Sequence, residues 1–175
     1  MPDIRKALEQ DIMPVAEIYE RIITGEEEGR TCIGWKRGVY PTERTAREAF
    51  AAGELFVMTD GDKVVAAARI NHNQVPEYAD AQWEYEAADE EIMVLHTLVV
   101  DPERSGKGYG TGFVRFYERY ALEHGCGFLR MDTNVKNSAA RRLYAGLGYK
   151  EVGVVDCTFN GINDVKLVCL EKKIG

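Results

Sequence analysis

The run Leu98-Val99-Val100-Asp101-Pro102-Glu103-Arg104-Ser105-Gly106-Lys107-Gly108-Tyr109-Gly110-Thr111-Gly112 constrains the fold more than any other part of the chain. An apolar, β-branched strand pattern stops at Asp101-Pro102, because proline lacks the N–H that a ladder needs. Glycines at 106, 108, 110 and 112 follow, and a helical spacing of apolar residues begins. A strand that turns through glycines into a helix leaves bare N–H groups at the positive end of the helix dipole. Such a turn suits an anion, above all a phosphate.

The flanking pattern predicts the elements around that turn. Ile92 to Val100 is nearly all apolar and reads as a buried central strand. A helix is expected from about Gly108 to His124, with Phe113, Phe116, Tyr117, Tyr120 and Ala121 on one face and Gly125 as its stop. Phe128 to Asp132 is the next strand, so strand, helix and strand make a right-handed parallel crossover. Asn137 caps a helix that carries Ala140, Leu143, Tyr144 and Leu147, ended by Gly148. Tyr149 to Thr158 and Asp164 to Glu171 read as an antiparallel pair around Asn160-Gly161.

Upstream, Ile4 to Leu8 reads as a strand. Asp11 caps a helix with Ile12, Val15, Ile18, Tyr19 and Ile22 on one face, broken at Gly25 to Gly29. Thr31 to Tyr40 is irregular around Trp35. A helix from Thr42 to Ala52 starts either at the Thr45-to-Glu48 capping box or at Thr42. Leu55 to Met58 and Lys63 to Ile70 pair around Asp60-Gly61-Asp62. Asn71 to Glu91 is long for a loop and fits either a lid or a segment with a short helix. Together these predict one domain over residues 1–175, an α/β fold with a mixed sheet and helices on both faces.

Composition narrows the partners. The 175 residues carry a formal net charge of −7, which argues against bulk attraction to nucleic acid or to an anionic membrane. No apolar run reaches membrane-spanning length and no secretory leader is visible, so a cytoplasmic protein is expected. Cys32, Cys126, Cys157 and Cys169 form no C-x-x-C pair and are expected to be free thiols. His72, His96 and His124 lack metal-ligand spacing, so no metal is expected.

Two phosphate-binding motifs fail on register. A Walker A loop needs Ser or Thr after its lysine and a glycine five positions earlier; here those positions are Gly108 and Asp101. The alternating Gly106, Gly108 and Gly110 do not make the spacing of a dinucleotide fingerprint. The turn instead resembles the [Q/R]-x-x-G-x-[G/A] signature of the Gcn5-related N-acetyltransferase (GNAT) family, with Gly108-Tyr109-Gly110 as the glycine pair and Ser105 where the family has Gln or Arg. Asn137-x-x-Ala140-x-x-Leu143-Tyr144-x-x-Leu147-Gly148-Tyr149 is similar to a second segment of the same family. The resemblance covers Ile92 to Gly153, about a third of the chain.

That resemblance implies a GNAT-like acyltransferase fold with a mixed, mostly antiparallel sheet, and acetyl-coenzyme A as donor. It implies that the pyrophosphate lies on N–H groups around Arg104, Ser105, Gly106, Lys107, Gly108, Tyr109, Gly110 and Thr111. The pantetheine arm would lie along the backbone of Leu98, Val99 and Val100, with Asn137 bonding the arm or a bridging water. Tyr144 takes the role of general acid toward the leaving thiol, although the same spacing suits a packed core tyrosine. For the proton of the attacking amine, His96, Glu91 and Asp132 all stand as candidates, and Asp132 also suits binding the amine. The acceptor is a small-molecule or peptide amine, shaped by Ile22 to Tyr40 and Asn71 to Glu91, where Trp35, Tyr78, Trp83 and Tyr85 suit a pocket wall. A homodimer stays open, as does a module of this fold that only holds acyl-coenzyme A.

Overall fold

A computed structural model describes residues 1–175. Its frame is one seven-stranded sheet in the order β1-β2-β3-β4-β5-β7-β6. The strands are β1 (Asp3–Lys6), β2 (Leu55–Asp60), β3 (Lys63–Asn71), β4 (Ile92–Val100), β5 (Phe128–Asn134), β6 (Lys150–Phe159) and β7 (Ile162–Lys173). Every neighbouring pair is antiparallel except β4 with β5. Parallel neighbours need a crossover, and helix α3 (Tyr109–Glu123) supplies it, as the spacing predicts.

The period of two along the strands sorts the core into two layers. Phe56 and Met58 pack toward α3, while Leu55 and Val57 pack toward α1 (Ile12–Glu27) and α2 (Glu43–Ala51). On the α3 side, Phe113, Val114, Tyr117 and Ala121 are fully buried, and α4 (Ser138–Gly146) adds Tyr144. Phe116 and Tyr120 are only partly buried and stack beside Phe56. No helix is long and apolar enough to cross a membrane.

Three local expectations are sharpened. Helix α1 passes through Gly25 and ends at Glu27, inside the expected Gly25-to-Gly29 break. A helical glycine costs about 1 kcal/mol against alanine, and the burial of Ile22 and Ile23 in the turn before it outweighs it. The stop is Gly29, left-handed at φ +75, where the Arg30 amide returns to the Gly25 carbonyl at 2.8 Å. Helix α2 starts from Thr42, whose amide donates to Thr45 Oγ1 at 3.0 Å, so Thr45-to-Glu48 lies inside the helix. The β6–β7 turn has Asn160 and Gly161 at φ +52 and +80, the paired left-handed conformation that Asn-Gly favours.

Residues 71–91 take the second of their two expected forms, a segment with short helical turns, and make a wall tied to β5 and β7. Two short 3-10 turns, Pro76–Asp80 and Asp89–Glu91, lie within this segment. The Arg130 guanidinium donates to Gln74 Oε1 at 2.5 Å and to the Tyr85 carbonyl at 2.9 Å, and lies 4.2 Å from the Trp83 ring centre. Glu171, opposite Arg130 across β5 and β7, accepts the Glu84 amide at 2.5 Å. Both charges are nearly buried, at 8% and 3% exposure. Replacing Arg130 by Ala removes its hydrogen bonds to Gln74 and Tyr85 and the cation over Trp83. A loss of about 2–4 kcal/mol is expected, read as a lower urea midpoint with an unchanged m-value.

Candidate active site

The site begins with one extra residue. Between the pairs Ala67↔Val99 and Arg69↔His96, β3 advances two residues and β4 advances three. The surplus falls beside Thr97, which adopts φ +52, a conformation that a β-branched residue disfavours. This bulge reverses the alternation of β4. Leu95 packs into the α3 layer, yet Val99, four residues on, packs into the α1–α2 layer.

Past the bulge, β4 loses its parallel neighbour. Pairing with β5 ends at Leu95↔Met131, while β5 runs on to Asn134 held only by β7 on its other edge. The two strands part, and the space between them is a cavity of about 590 Å³. Leu98, Val99 and Val100 form one wall; Asn137, Leu143 and Tyr144 form the other. The segment after α1 covers it through Ile33, Gly34 and Trp35. Glu26 pins that segment by accepting the Ile33 amide at 2.8 Å and the Gly34 amide at 2.5 Å.

The glycine turn borders this cavity. Ser105 and Gly110 line it, while Arg104, Gly106, Lys107, Gly108, Tyr109 and Thr111 belong to the same turn without lining it. Gly106 and Gly108 are left-handed at φ +80 and +75, with no protein atom within 4 Å of a built Cβ. Backbone conformation, not protein packing, therefore requires glycine there. Arg104 bends toward Asp101, at 4.0 Å, whose carboxylate Arg21 grips at 3.0 and 3.1 Å. Lys107 is exposed and makes no ion pair, and Tyr109 is spent anchoring α3, its hydroxyl donating to Asp60.

Two side chains on α4 match their expected places. Asn137 Oδ1 accepts the Ala140 amide at 3.1 Å, capping the helix from the edge of the cavity. Tyr144 is buried to 7% exposure. Tyr117 and Tyr149 satisfy their hydroxyls at Met93 and Glu118, but the Tyr144 hydroxyl has no protein partner and opens on the cavity. Burial first, then the nearby Asp132 charge, pushes its ionisation upward, so it stays protonated.

A second cavity, of about 520 Å³, lies on the α1–α2 side of the sheet. The two share Tyr40, Thr97, Asp132, Phe159 and Asn160. Asp132 therefore faces both spaces. Burial raises its carboxyl to about 6; a 2.6 Å hydrogen bond from the Tyr78 hydroxyl opposes the rise, and the Glu77 charge adds to it. His96 lines only the second cavity. Its Nε2 lies 2.7 Å from Asn71 Oδ1. The Asn71 amide is oriented by its neighbours, since Oδ1 also accepts the Asn73 amide and Nδ2 donates to Glu54. The His96 proton thus sits on Nε2. Burial, then Arg69, lowers this ring to about 4.

The other candidates are not brought together. Glu91 lines neither cavity; its carboxylate accepts the Ala88 amide at 3.3 Å and closes a 3-10 turn. Trp83 and Tyr85 pack on Arg130 and Phe128. Sequence reasoning missed the Tyr78–Asp132 and Tyr40–Thr97 hydrogen bonds, whose partners lie 54 and 57 residues apart.

Comparison with known proteins decides the family. The model of the acetyltransferase (GNAT) family matches residues 17–149. The chain belongs to the GNAT acetyltransferase family. An uncharacterised N-acetyltransferase of Methanocaldococcus jannaschii is 30% identical over 76 residues, 43% of this chain and 34% of that protein. The chain therefore spans about a third of that relative's length. A GNAT acetyltransferase structure from Streptococcus agalactiae aligns with a TM-score of 0.82 over 99% of this chain and 96% of its own, at 18% identity. An acetyltransferase from Salmonella typhimurium, solved with its cofactor acetyl-CoA, aligns at 0.69 over 99% and 94%, also at 18% identity. At these identities the likeness is one of fold.

Proposed function

We propose that this GNAT chain transfers an acetyl group from acetyl-coenzyme A to a primary amine held in the second cavity. The observation that carries this is the meeting of two cavities at Asp132, with the Tyr144 hydroxyl open to the one behind it. The relative solved with acetyl-CoA supports the donor. The residues present fit it: an unpaired strand edge at Leu98 to Val100, apolar walls, and a glycine turn at the start of α3. When bound, acetyl-coenzyme A supplies an activated acyl group, and its phosphates would lie on the N–H groups from Arg104 to Thr111.

The protein's own task is to manage two protons and one developing charge. The amine nitrogen bonds to the acetyl carbon, the carbon–sulfur bond breaks, the amine gives up a proton and the thiol gains one. Asp132, raised to about 6, is ionised at neutral pH and close enough to it to accept a proton. His96, lowered to about 4, is neutral but a poorer acceptor, so Asp132 is the base and His96 a cavity wall that orients Asn71. Tyr144 stays protonated and donates to the leaving sulfur. The Asp101 amide donates to Val65, so by strand alternation Val99 also faces β3, and the Leu98 and Val100 N–H groups beside it are the ones turned to the gap, where one can meet the acetyl oxygen as it gains charge. A module that only holds acyl-coenzyme A has no use for the second cavity or for Asp132.

Three results are expected from thiol release measured with an accepted amine. In Tyr144→Phe, kcat falls by about 10²–10⁴ while acetyl-coenzyme A affinity, read by calorimetry, hardly moves; an unchanged kcat removes Tyr144 as the acid. In the wild type, kcat/KM rises with pH through a midpoint near 6, below the separate limb of the amine itself. The base must lose its proton to act, so activity is lost as pH falls through that value. The limb disappears in Asp132→Asn and persists in His96→Gln; a midpoint near 4 would reassign the base to His96. Finally, Gly108→Asp puts bulk and negative charge beside the turn and abolishes acetyl-coenzyme A binding. Tight binding by that variant would move the pyrophosphate elsewhere.

A further inference from the structure

The second cavity has the Arg69 guanidinium, ion-paired to Glu54, at one end and the Asp132 carboxylate at the other, with an exposed Arg44–Glu48 pair along its lining, and two donors in it have no protein partner. Arg69 on β3 stands opposite His96 on β4, and Asp132 on β5 follows the last pair, Leu95↔Met131. Three neighbouring strands thus carry Arg69, His96 and Asp132 in a row, with β4 between the two charges. All three line the cavity.

Arg69 is held as if for presentation. Glu54 accepts from its Nε at 3.4 Å and its Nη2 at 3.1 Å, and also takes the Asn71 amide at 3.0 Å. Glu54 therefore fixes the guanidinium plane but leaves Nη1 without a protein partner. Tyr19 on α1 is 3% exposed and lines the same cavity, and its hydroxyl also has no protein partner. A buried tyrosine hydroxyl normally finds one. Two unmatched donors at one end and a carboxylate at the other describe the complement of a small zwitterion.

The walls favour a small molecule over a polypeptide. Phe159 and Asn160 at the β6–β7 tip join Val39 over the cavity, and a Cβ built on Gly161 would lie 3.3 Å from Val39 Cγ1. The hairpin tip and the chain before α2 are therefore in contact. Val75, at the edge of the fixed wall, lines another side.

We propose that the acceptor is a free amino carboxylate of amino-acid size. Its carboxylate binds Arg69 Nη1 and the Tyr19 hydroxyl, and its amine lies at Asp132, where the donor cavity opens. This deepens the acetyltransferase reading and rests on it. In the reaction an N–C bond forms at that amine, the thioester C–S bond breaks, and the amine's proton leaves through Asp132.

The test uses the unmodified protein, acetyl-coenzyme A and a panel of amines. Amino acids of each side-chain class are compared with their decarboxylated amines, their carboxamides and short peptides that begin with them. Thiol release is expected to favour at least one free amino acid over its decarboxylated amine and its amide by about tenfold or more in kcat/KM. Arg69→Met is expected to raise KM for that amino acid about tenfold to a hundredfold, with the decarboxylated amine nearly unaffected; Tyr19→Phe gives a smaller rise of the same kind. Equal or better turnover of decarboxylated amines, or of peptides, overturns the acceptor class and leaves the acetyltransferase intact. Bound acetyl-coenzyme A with no thiol release from any amine overturns the acetyltransferase reading, and this one with it.

Discussion

Everything at the site depends on the parting of β4 from β5. A sheet normally keeps its two faces apart, because each strand's hydrogen bonds seal the layer between them. Here the parallel pair runs only from Ile92↔Phe128 to Leu95↔Met131 before the strands diverge. The bulge at Thr97 turns β4 over just as its partner leaves. Groups from opposite faces then meet in one gap. Tyr144 arrives from the α3–α4 layer, and Asp132 from the side where Tyr78 holds it. Such a cleft through a sheet lets a donor and an acceptor approach from opposite sides.

The electrostatics follow from the same geometry. Burial raises both Asp132 and Tyr144, and lowers His96. One desolvated region thus holds a carboxylate that titrates near neutrality, a tyrosine that keeps its proton and a histidine that refuses one. The distinction between His96 and Asp132 is an environmental one. An isolated imidazole is the better base at neutral pH, but the neighbouring Arg69 and the loss of water remove that advantage. Arg130 and Glu171 use buried charge for another purpose, pinning residues 71–91 so that Tyr78 is fixed against Asp132.

Much of this was legible in the sequence, for physical reasons that also mark where legibility ends. Strand β4 was found as Ile92–Val100 because burial on both faces leaves a continuous apolar run. Helices α3 and α4 were found because their apolar stripes and their Gly125 and Gly148 stops are local signals. The Asn160-Gly161 turn is equally local. The Thr97 bulge carries no glycine, and the polar pair His96-Thr97 that interrupts the apolar run marks the place without showing that a residue is inserted there. The stop of α1 between Gly25 and Gly29 is local too; Gly25 itself stays helical because its cost is small beside the burial that precedes it. Tyr78 was noticed as an aromatic, but its role is a hydrogen bond to a residue 54 positions away, which the sheet order creates and no spacing encodes. The glycine pair at 108 and 110 divides in the structure: Gly108, like Gly106, supplies a left-handed backbone with no protein atom near it, whereas Gly110 is helical and lies against Leu143 and Val100.

The central claim is that the gap between β4 and β5, with the turn at its mouth, receives acetyl-coenzyme A. Amide resonances of uniformly 15N-labelled protein, followed as acetyl-coenzyme A is added, test it most directly. The account predicts that the largest shifts fall on Leu98 to Val100 and on Arg104 to Thr111, with smaller ones around Asn137 and Tyr144. Binding that leaves those amides in place and moves another surface would contradict it.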